Sequence, residues 1–375
     1  MDTSQVTFVG HPRISIGKAA ECRSYAAALA SLGYEPSLYD IYGQSGDDPW
    51  INCDGVRLHA ADALGDGVRV WHINGDEVEP VFRHLSAQGQ RPRDGYNIMV
   101  PAWELGRYPD VWKAAVDEFD EVWAISKFVQ EIVADVTERP VIHMSQPTRR
   151  TPGAPISRAD FGIREDAFVF FSFMDASSYL ERKNPEGIFQ LYRRLRSRNP
   201  YKRFVFALKI KERDGSGDEV EDEMLSTDPN FTLINRHLTE GEMTGLISLS
   251  DALVSLHRSE GFGRGVGEAM SLGLPVIATG YSGVLDMMTQ ANSWPLPYKL
   301  IPVREGEYPH HAGQVWADPD LDAAVAACEE VMDNPAERRR RVRRASLDLE
   351  TNFSHAAVGL RLSERLSEIA AERTN

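Results

Sequence analysis

Short apolar runs alternate along this chain with stretches of helical period, and the alternation occurs twice. Val6-Thr-Phe-Val-Gly10 is a nearly unbroken apolar run of strand length, and Ala19 to Leu32 carries a helical pattern that Gly33 closes. Val68–Ile73, Tyr96–Val100, Glu121–Ile125 and Pro140–Met144 read as further strands, with helical stretches such as Phe128–Val136 between some of them. Such alternation predicts an α/β fold whose parallel sheet is covered by helices on both faces.

The pattern then pauses. Gln146-Pro-Thr-Arg-Arg-Thr-Pro-Gly-Ala-Pro155 is rich in proline and polar residues and reads as an interdomain linker. Beyond it Phe168–Met174 is a strand, and Asn184-Pro185 caps a helix running to about Arg198. Arg203–Ile210 and Phe231–Asn235 are strands, and Thr239-Glu-Gly-Glu242 is a capping box ahead of the next helix. Ala252–His257 and Pro275–Thr279 are strands flanking a glycine-rich turn and a helix, and the tail from Asp318-Pro319 onward is helical. The expectation is two Rossmann-like, doubly wound domains, residues 1–150 and 151–354, with a ligand cleft between them.

Composition narrows the function classes. The 375 residues exceed the usual single core, and the net charge of -15 argues against a protein that binds nucleic acid by neutralising phosphates. Cys22, Cys53 and Cys328 lie far apart with no metal-ligand spacing, which with no signal peptide suggests a reduced, cytoplasmic setting. No apolar run approaches the ~20 residues of a membrane-spanning helix. The basic run Arg338–Arg341 with Arg343 and Arg344 reads as a solvated helix face, with contact to an anionic inner membrane surface as the alternative. The acidic stretch Asp214–Glu223 lacks the spacing of a calcium loop and reads as an exposed loop.

Chemistry concentrates in Ser255-Leu-His-Arg-Ser-Glu-Gly-Phe-Gly-Arg-Gly-Val-Gly-Glu268, where a strand ends near His257 and a helix begins at about Arg264. Glycines let backbone approach a ligand closely, and a helix start offers unpaired N–H groups to an anion. The Gly-Lys-Ser/Thr ending of a P-loop is absent, and no dinucleotide fingerprint follows the first strand. Asp318-Pro-Asp320 has Asp-x-Asp spacing but reads as a helix cap followed by proline at the first helical position, so no metal is assigned.

Glu260 and Glu268 match the E-x7-E motif of the family 4 retaining glycosyltransferases, which have the GT-B fold. Gly273-Leu-Pro-Val-Ile-Ala-Thr279 and Tyr281-Ser-Gly283 resemble its continuation, and Glu181-Arg-Lys-Asn-Pro185 resembles the family's basic donor-phosphate segment. Ala102-Trp-Glu-Leu105 and Glu121–Ser126 are similar to its amino-terminal domain, and Val315–Pro319 to its later helical region. The resemblance covers about residues 1 to 345. It implies a hexosyltransferase-type enzyme that moves a sugar from a nucleotide-sugar to a glycan or lipid-linked acceptor, without metal or cofactor and with retained anomeric configuration. Glu268 would hold the ribose. Glu260, with the backbone of Gly261, Phe262 and Gly263, would meet the donor sugar and phosphates, and Ser282 and Gly283 would complete the donor side. Arg182 and Lys183 would neutralise the leaving diphosphate; they are adjacent, whereas the common pattern sets the arginine several residues before the lysine.

In the first half, Glu104 falls near a polar active-site position of similar proteins, and Gly17, His72, Asn74 and Asp76 fall on strand edges or a helix start that would line the acceptor side. The resemblance also implies a last helix, about 355–375, crossing back to the first domain. Two rivals remain on the same fold: a nucleotide-sugar 2-epimerase, and a non-catalytic scaffold that binds a partner.

Overall fold

The computed structural model describes residues 5–14, 16–43, 50–53, 56–148, 153–175, 178–211 and 228–373. The chain divides into two compact units, Met1–Arg149 with Glu350–Asn375, and Arg150–Leu349. The expected acidic loop at 214–223 and residues 149–152 of the expected linker lie outside the described residues.

The strands of the first unit are β1 (Val6–Gly10), β2 (Ser37–Asp40), β3 (Trp50–Cys53), β4 (Val56–Ala60), β5 (Val68–Trp71), β6 (Tyr96–Met99), β7 (Glu121–Ala124) and β8 (Val141–His143). They form one sheet in the order β3-β4-β2-β1-β5-β6-β7-β8, parallel except for the antiparallel edge pair β3–β4. β1 sits centrally and is buried along its whole length, as parallel strands covered on both faces must be. From β1 the chain winds to β2 on one side and later returns to β5 on the other. The carboxyl ends of β1 and β5 therefore flank a topological switch point. The pattern alone shows β1 and β5 to β8; it does not show β2 to β4, which are short and partly exposed.

The last helix, His355–Glu372, belongs to this first unit, in line with the crossover expected from the resemblance. Ser354 caps it, its side chain accepting from the Ala357 amide at 3.2 Å. Gly359 lies so close to the Ala28 carbonyl of helix Gly17–Ala30 that a Cβ would collide with it. Arg365 reaches the fully buried Glu121 at 2.6 Å, and Tyr96 and Trp123 donate to the same carboxylate.

The second unit holds β9 (Phe168–Asp175), β10 (Phe204–Lys211), β11 (Phe231–Ile234), β12 (Ala252–Ser255), β13 (Val276–Thr279) and β14 (Trp294–Leu296), all parallel, in the order β11-β10-β9-β12-β13-β14. Aligned phenylalanines knit the sheet: Phe206 is in register with both Phe170 and Phe231 and stacks on both rings. The chain leaves β9 towards β10 and β11, then comes back to place β12 beside β9. The switch point lies between the carboxyl ends of β9 and β12.

Two expectations need correction. β15 (Tyr298–Pro302) and β16 (Val315–Pro319) form an antiparallel hairpin that the helical reading of 318 onward overlooks. Pro319 ends β16, and Asp320, not Asp318, caps helix Leu321–Asp333 by accepting from the Asp322 and Ala323 amides. The division between the two units falls inside the expected linker, whose residues 146–148 are buried and Pro155 exposed. Thr148 donates to the Phe353 carbonyl at 3.1 Å, and Ala154 donates to the Gly241 carbonyl at 2.9 Å. In the arginine run Arg339, Arg340, Arg343 and Arg344 are exposed, while Arg341 is held by Glu337 at 2.8 Å and lies over the Trp294 ring at 4.3 Å.

Candidate active site

At the switch point of the second unit two loops meet. After β9 the chain makes a single helical turn, Leu180–Lys183. Asn184 then stops that turn and starts the next helix: it adopts φ 57, accepts from the Gly187 amide, and donates to the Leu256 carbonyl at 3.0 Å. After β12 the chain runs through Leu256 to Gly263 before helix Arg264–Ser271. The Arg258 amide donates to the Arg182 carbonyl at 2.8 Å, which ties the two loops together.

These ties bring Glu260 between two cations. Its Oε2 lies 3.1 Å from the Arg182 guanidinium and its Oε1 lies 2.5 Å from the Lys183 ammonium. Burial alone would raise the Glu260 carboxyl, but Lys183 and Arg182 outweigh it and hold it well below the usual carboxylate range. Arg182 is almost fully buried and is fixed further by the Ser259 carbonyl at 2.8 Å and the Ser178 hydroxyl at 2.6 Å. His257, beneath the cluster, bonds Ser255 at 2.9 Å. Burial, aided by Lys183 and Arg182 and opposed by Glu260, pushes its imidazole down to about 4.

The loop that begins at Tyr281 supports the glycine turn from the other side. The Ser282 hydroxyl accepts from the Glu260 amide at 2.8 Å, and the Gly283 amide donates to the Glu260 carbonyl at 2.9 Å. A Cβ at Gly283 would collide with the Gly261 carbonyl, so only glycine fits there. Gly263 caps the helix at φ 84, against Val284. Of the four non-glycine residues with positive φ among those described, Tyr179, Asn184 and Ser282 surround this cluster. Backbone held in that region is costly and concentrates where a site requires it.

Glu260, Arg182, Lys183, Gly261, Phe262, Gly263, Ser282 and Gly283 are thus brought together. Phe262 is buried, 3% exposed. Glu268 is buried and pairs with Arg264 at 2.7 Å. Arg258 and Arg264 were not singled out from the sequence. Arg258 lies over Trp316 of β16 at 5.5 Å, a contact that depends on the unforeseen hairpin. Arg264 carried a signal, a cation at a helix start. Among the described residues no group of three or more His, Cys, Asp or Glu is arranged to hold a metal ion.

The first unit presents a smaller polar edge beyond β1, β5 and β6. Lys18 donates to the Val100 carbonyl at 3.1 Å; burial lowers its ammonium, opposed by Glu77, Glu21, Asp76 and Glu104. Asp76 and Glu104 therefore belong to one charged neighbourhood with Lys18. Asn74 is a latch: its amide donates to Glu77 at 2.6 Å and its side chain accepts from the Ala102 amide at 2.9 Å. His72, expected on the acceptor side, is 1% exposed and its Nδ1 pairs with Glu21 at 2.8 Å. Gly17 is an ordinary first helical residue with open space around it, so nothing there requires glycine.

Two doubly wound units and a closing helix define the GT-B architecture. Residues 155–347 match the family model of the glycosyl transferases group 1, more than half of the chain, and the protein belongs to that family. No curated protein sequence gives a significant match. Sucrose-phosphate synthase from Thermosynechococcus elongatus has a similar structure, with a TM-score of 0.67 at 14% identity over 98% of this chain and 99% of its own. HepE from Anabaena, solved with UDP-glucose, gives 0.63 at 13% over 97% and 99%. The pneumococcal O-GlcNAc transferase GtfA, solved with UDP and GlcNAc, gives 0.63 at 10% over 98% and 99%. At these identities the likeness speaks for the fold.

Proposed function

We propose that this glycosyltransferase is a metal-independent, retaining enzyme of the family 4 type that transfers a hexose from a nucleotide-sugar to a glycan or lipid-linked acceptor. The observation that carries the reading is the Glu260 carboxylate clasped by Arg182 and Lys183 beside a glycine-lined helix start. An oxocarbenium-like transition state needs a carboxylate near the sugar and positive charge on the departing diphosphate, and these groups offer both. The complexes of HepE with UDP-glucose and of GtfA with UDP support a nucleotide-sugar donor. The donor would bind to the second unit. The acceptor would bind to the first, with Asp76 and Glu104 towards it. Among the described residues no helix is long and apolar enough to cross a membrane; the proposed setting is the cytoplasm or the inner membrane surface.

Calorimetric titration against UDP, GDP, dTDP and ADP tests the donor class directly, and a protein that binds none of them refutes it. Charge on the diphosphate is assigned to side chains and a helix terminus, so transfer is expected to persist in excess EDTA. Activity that disappears on chelation and returns with magnesium or manganese would overturn the metal-independent assignment.

Glu268 is assigned to the ribose, which does not change during reaction, so its contacts give uniform binding. Glu268→Ala is expected to weaken nucleoside diphosphate binding and raise the donor KM by about 1–3 kcal/mol. Normal affinity in that variant would remove Glu268 from the ribose.

A further inference from the structure

Arg264 opens helix Arg264–Ser271 and goes against helix electrostatics twice. A cation in the first turn opposes the macrodipole, and in its i,i+4 pair with Glu268 the base precedes the acid, which is the weaker order. Other helices of the same unit follow the rule: Glu186, Glu240 and Asp322 each stand in a first turn. Helix Arg264–Ser271 has no acid in its first turn. Yet the Arg264 Nε lies 2.7 Å from Glu268 Oε1, with the arginine side chain 26% exposed and the glutamate 6%. A residue that helix stability disfavours, fixed on a buried carboxylate at a glycine-built helix start, points to a role in binding.

We propose that Arg264 is a positioning residue of the donor site, locking the Glu268 carboxylate in the orientation that receives the ribose hydroxyls of a nucleoside diphosphate. The proposal rests on the donor reading given above. It also explains why a cation is tolerated at this helix start: the diphosphate of the donor brings the negative charge that the macrodipole and the guanidinium both favour.

The test compares the diphosphate that binds, among UDP, GDP and ADP, with its 2′-deoxy analogue, by calorimetry on the full chain. Wild-type protein is expected to prefer the ribose form by about tenfold, the worth of one hydrogen bond to a charged group. In Arg264→Gln that preference collapses towards one, and Arg264→Lys, which keeps the charge without the planar fork, falls between. In assays the loss falls on the donor KM more than on kcat. An unchanged ribose preference in both variants overturns the proposal. So do variants that lose both nucleotides equally, since Arg264 would then support the loop rather than the ribose carboxylate. A wild-type protein that binds no nucleoside diphosphate instead refutes the donor reading itself.

Discussion

Glu260→Gln is expected to lower kcat by about a hundredfold or more while nucleoside diphosphate affinity holds or rises. The substitution keeps the shape of the side chain and removes its charge. In the wild-type protein the carboxylate lies between Arg182 at 3.1 Å and Lys183 at 2.5 Å. Its folded pKa is depressed, so the stability it contributes is present above the ordinary carboxylate range and is lost only when the pH falls through the depressed value. The depression keeps it ionised at neutral pH, where the variant is compared with wild type. Loss of charge beside a developing oxocarbenium ion removes stabilisation made mainly in the transition state, which typically costs ~10²–10³ in rate. The cations, no longer sharing themselves with a carboxylate, remain available to a diphosphate. Paired with Glu268→Ala, which should raise KM, the two variants give opposite signatures. If Glu260→Gln loses nucleotide affinity and keeps its kcat, the division of roles is wrong.

Much of this was legible because it is written in local chemistry. Apolar runs of strand length gave β1, β5 to β8 and the strands of the second unit up to β13, and Asn184-Pro185 and Thr239–Glu242 marked helix starts that the side-chain caps confirm. The glycine turn before Arg264 was readable for the same reason. What escaped is tertiary. No sequence rule assigns positive φ to Ser282, sets Gly283 against the Gly261 carbonyl, or brings Glu260 between two cations from a loop 77 residues upstream. Asp318-Pro319 reads as a cap until β15, about twenty residues earlier, turns it into a strand. The pairing of His72 with Glu21 of the neighbouring helix is likewise tertiary. Glu260 and the cations Arg182 and Lys183, which lie in separate segments of the sequence, form one cluster.

Truncation after Asn352 is expected to unfold the first unit. The deletion removes helix His355–Glu372 and with it the buried Val358, Leu362, Leu366 and Ile369. At about 1.5–3 kcal/mol for each fully buried aliphatic side chain, the loss is roughly 6–12 kcal/mol, comparable with the whole stability of a domain. It also strips Arg365 from Glu121, a carboxylate with no exposure, and leaves its charge to Tyr96 and Trp123 alone. Uncovering a buried ion in this way costs about 3–5 kcal/mol. Arg365→Met isolates that second contribution within the full chain, and should lower the stability of the first unit by about that amount. Glu121→Gln in the same background should recover part of the loss, because a buried amide tolerates the missing partner better than a buried charge does. The measurement is denaturant unfolding followed by the tryptophans of the first unit, among them the buried Trp71 and Trp123. An unchanged transition in the truncated chain would mean that the closing helix does not hold this sheet together. An Arg365→Met variant as stable as wild type would confine the effect to the apolar face of the helix.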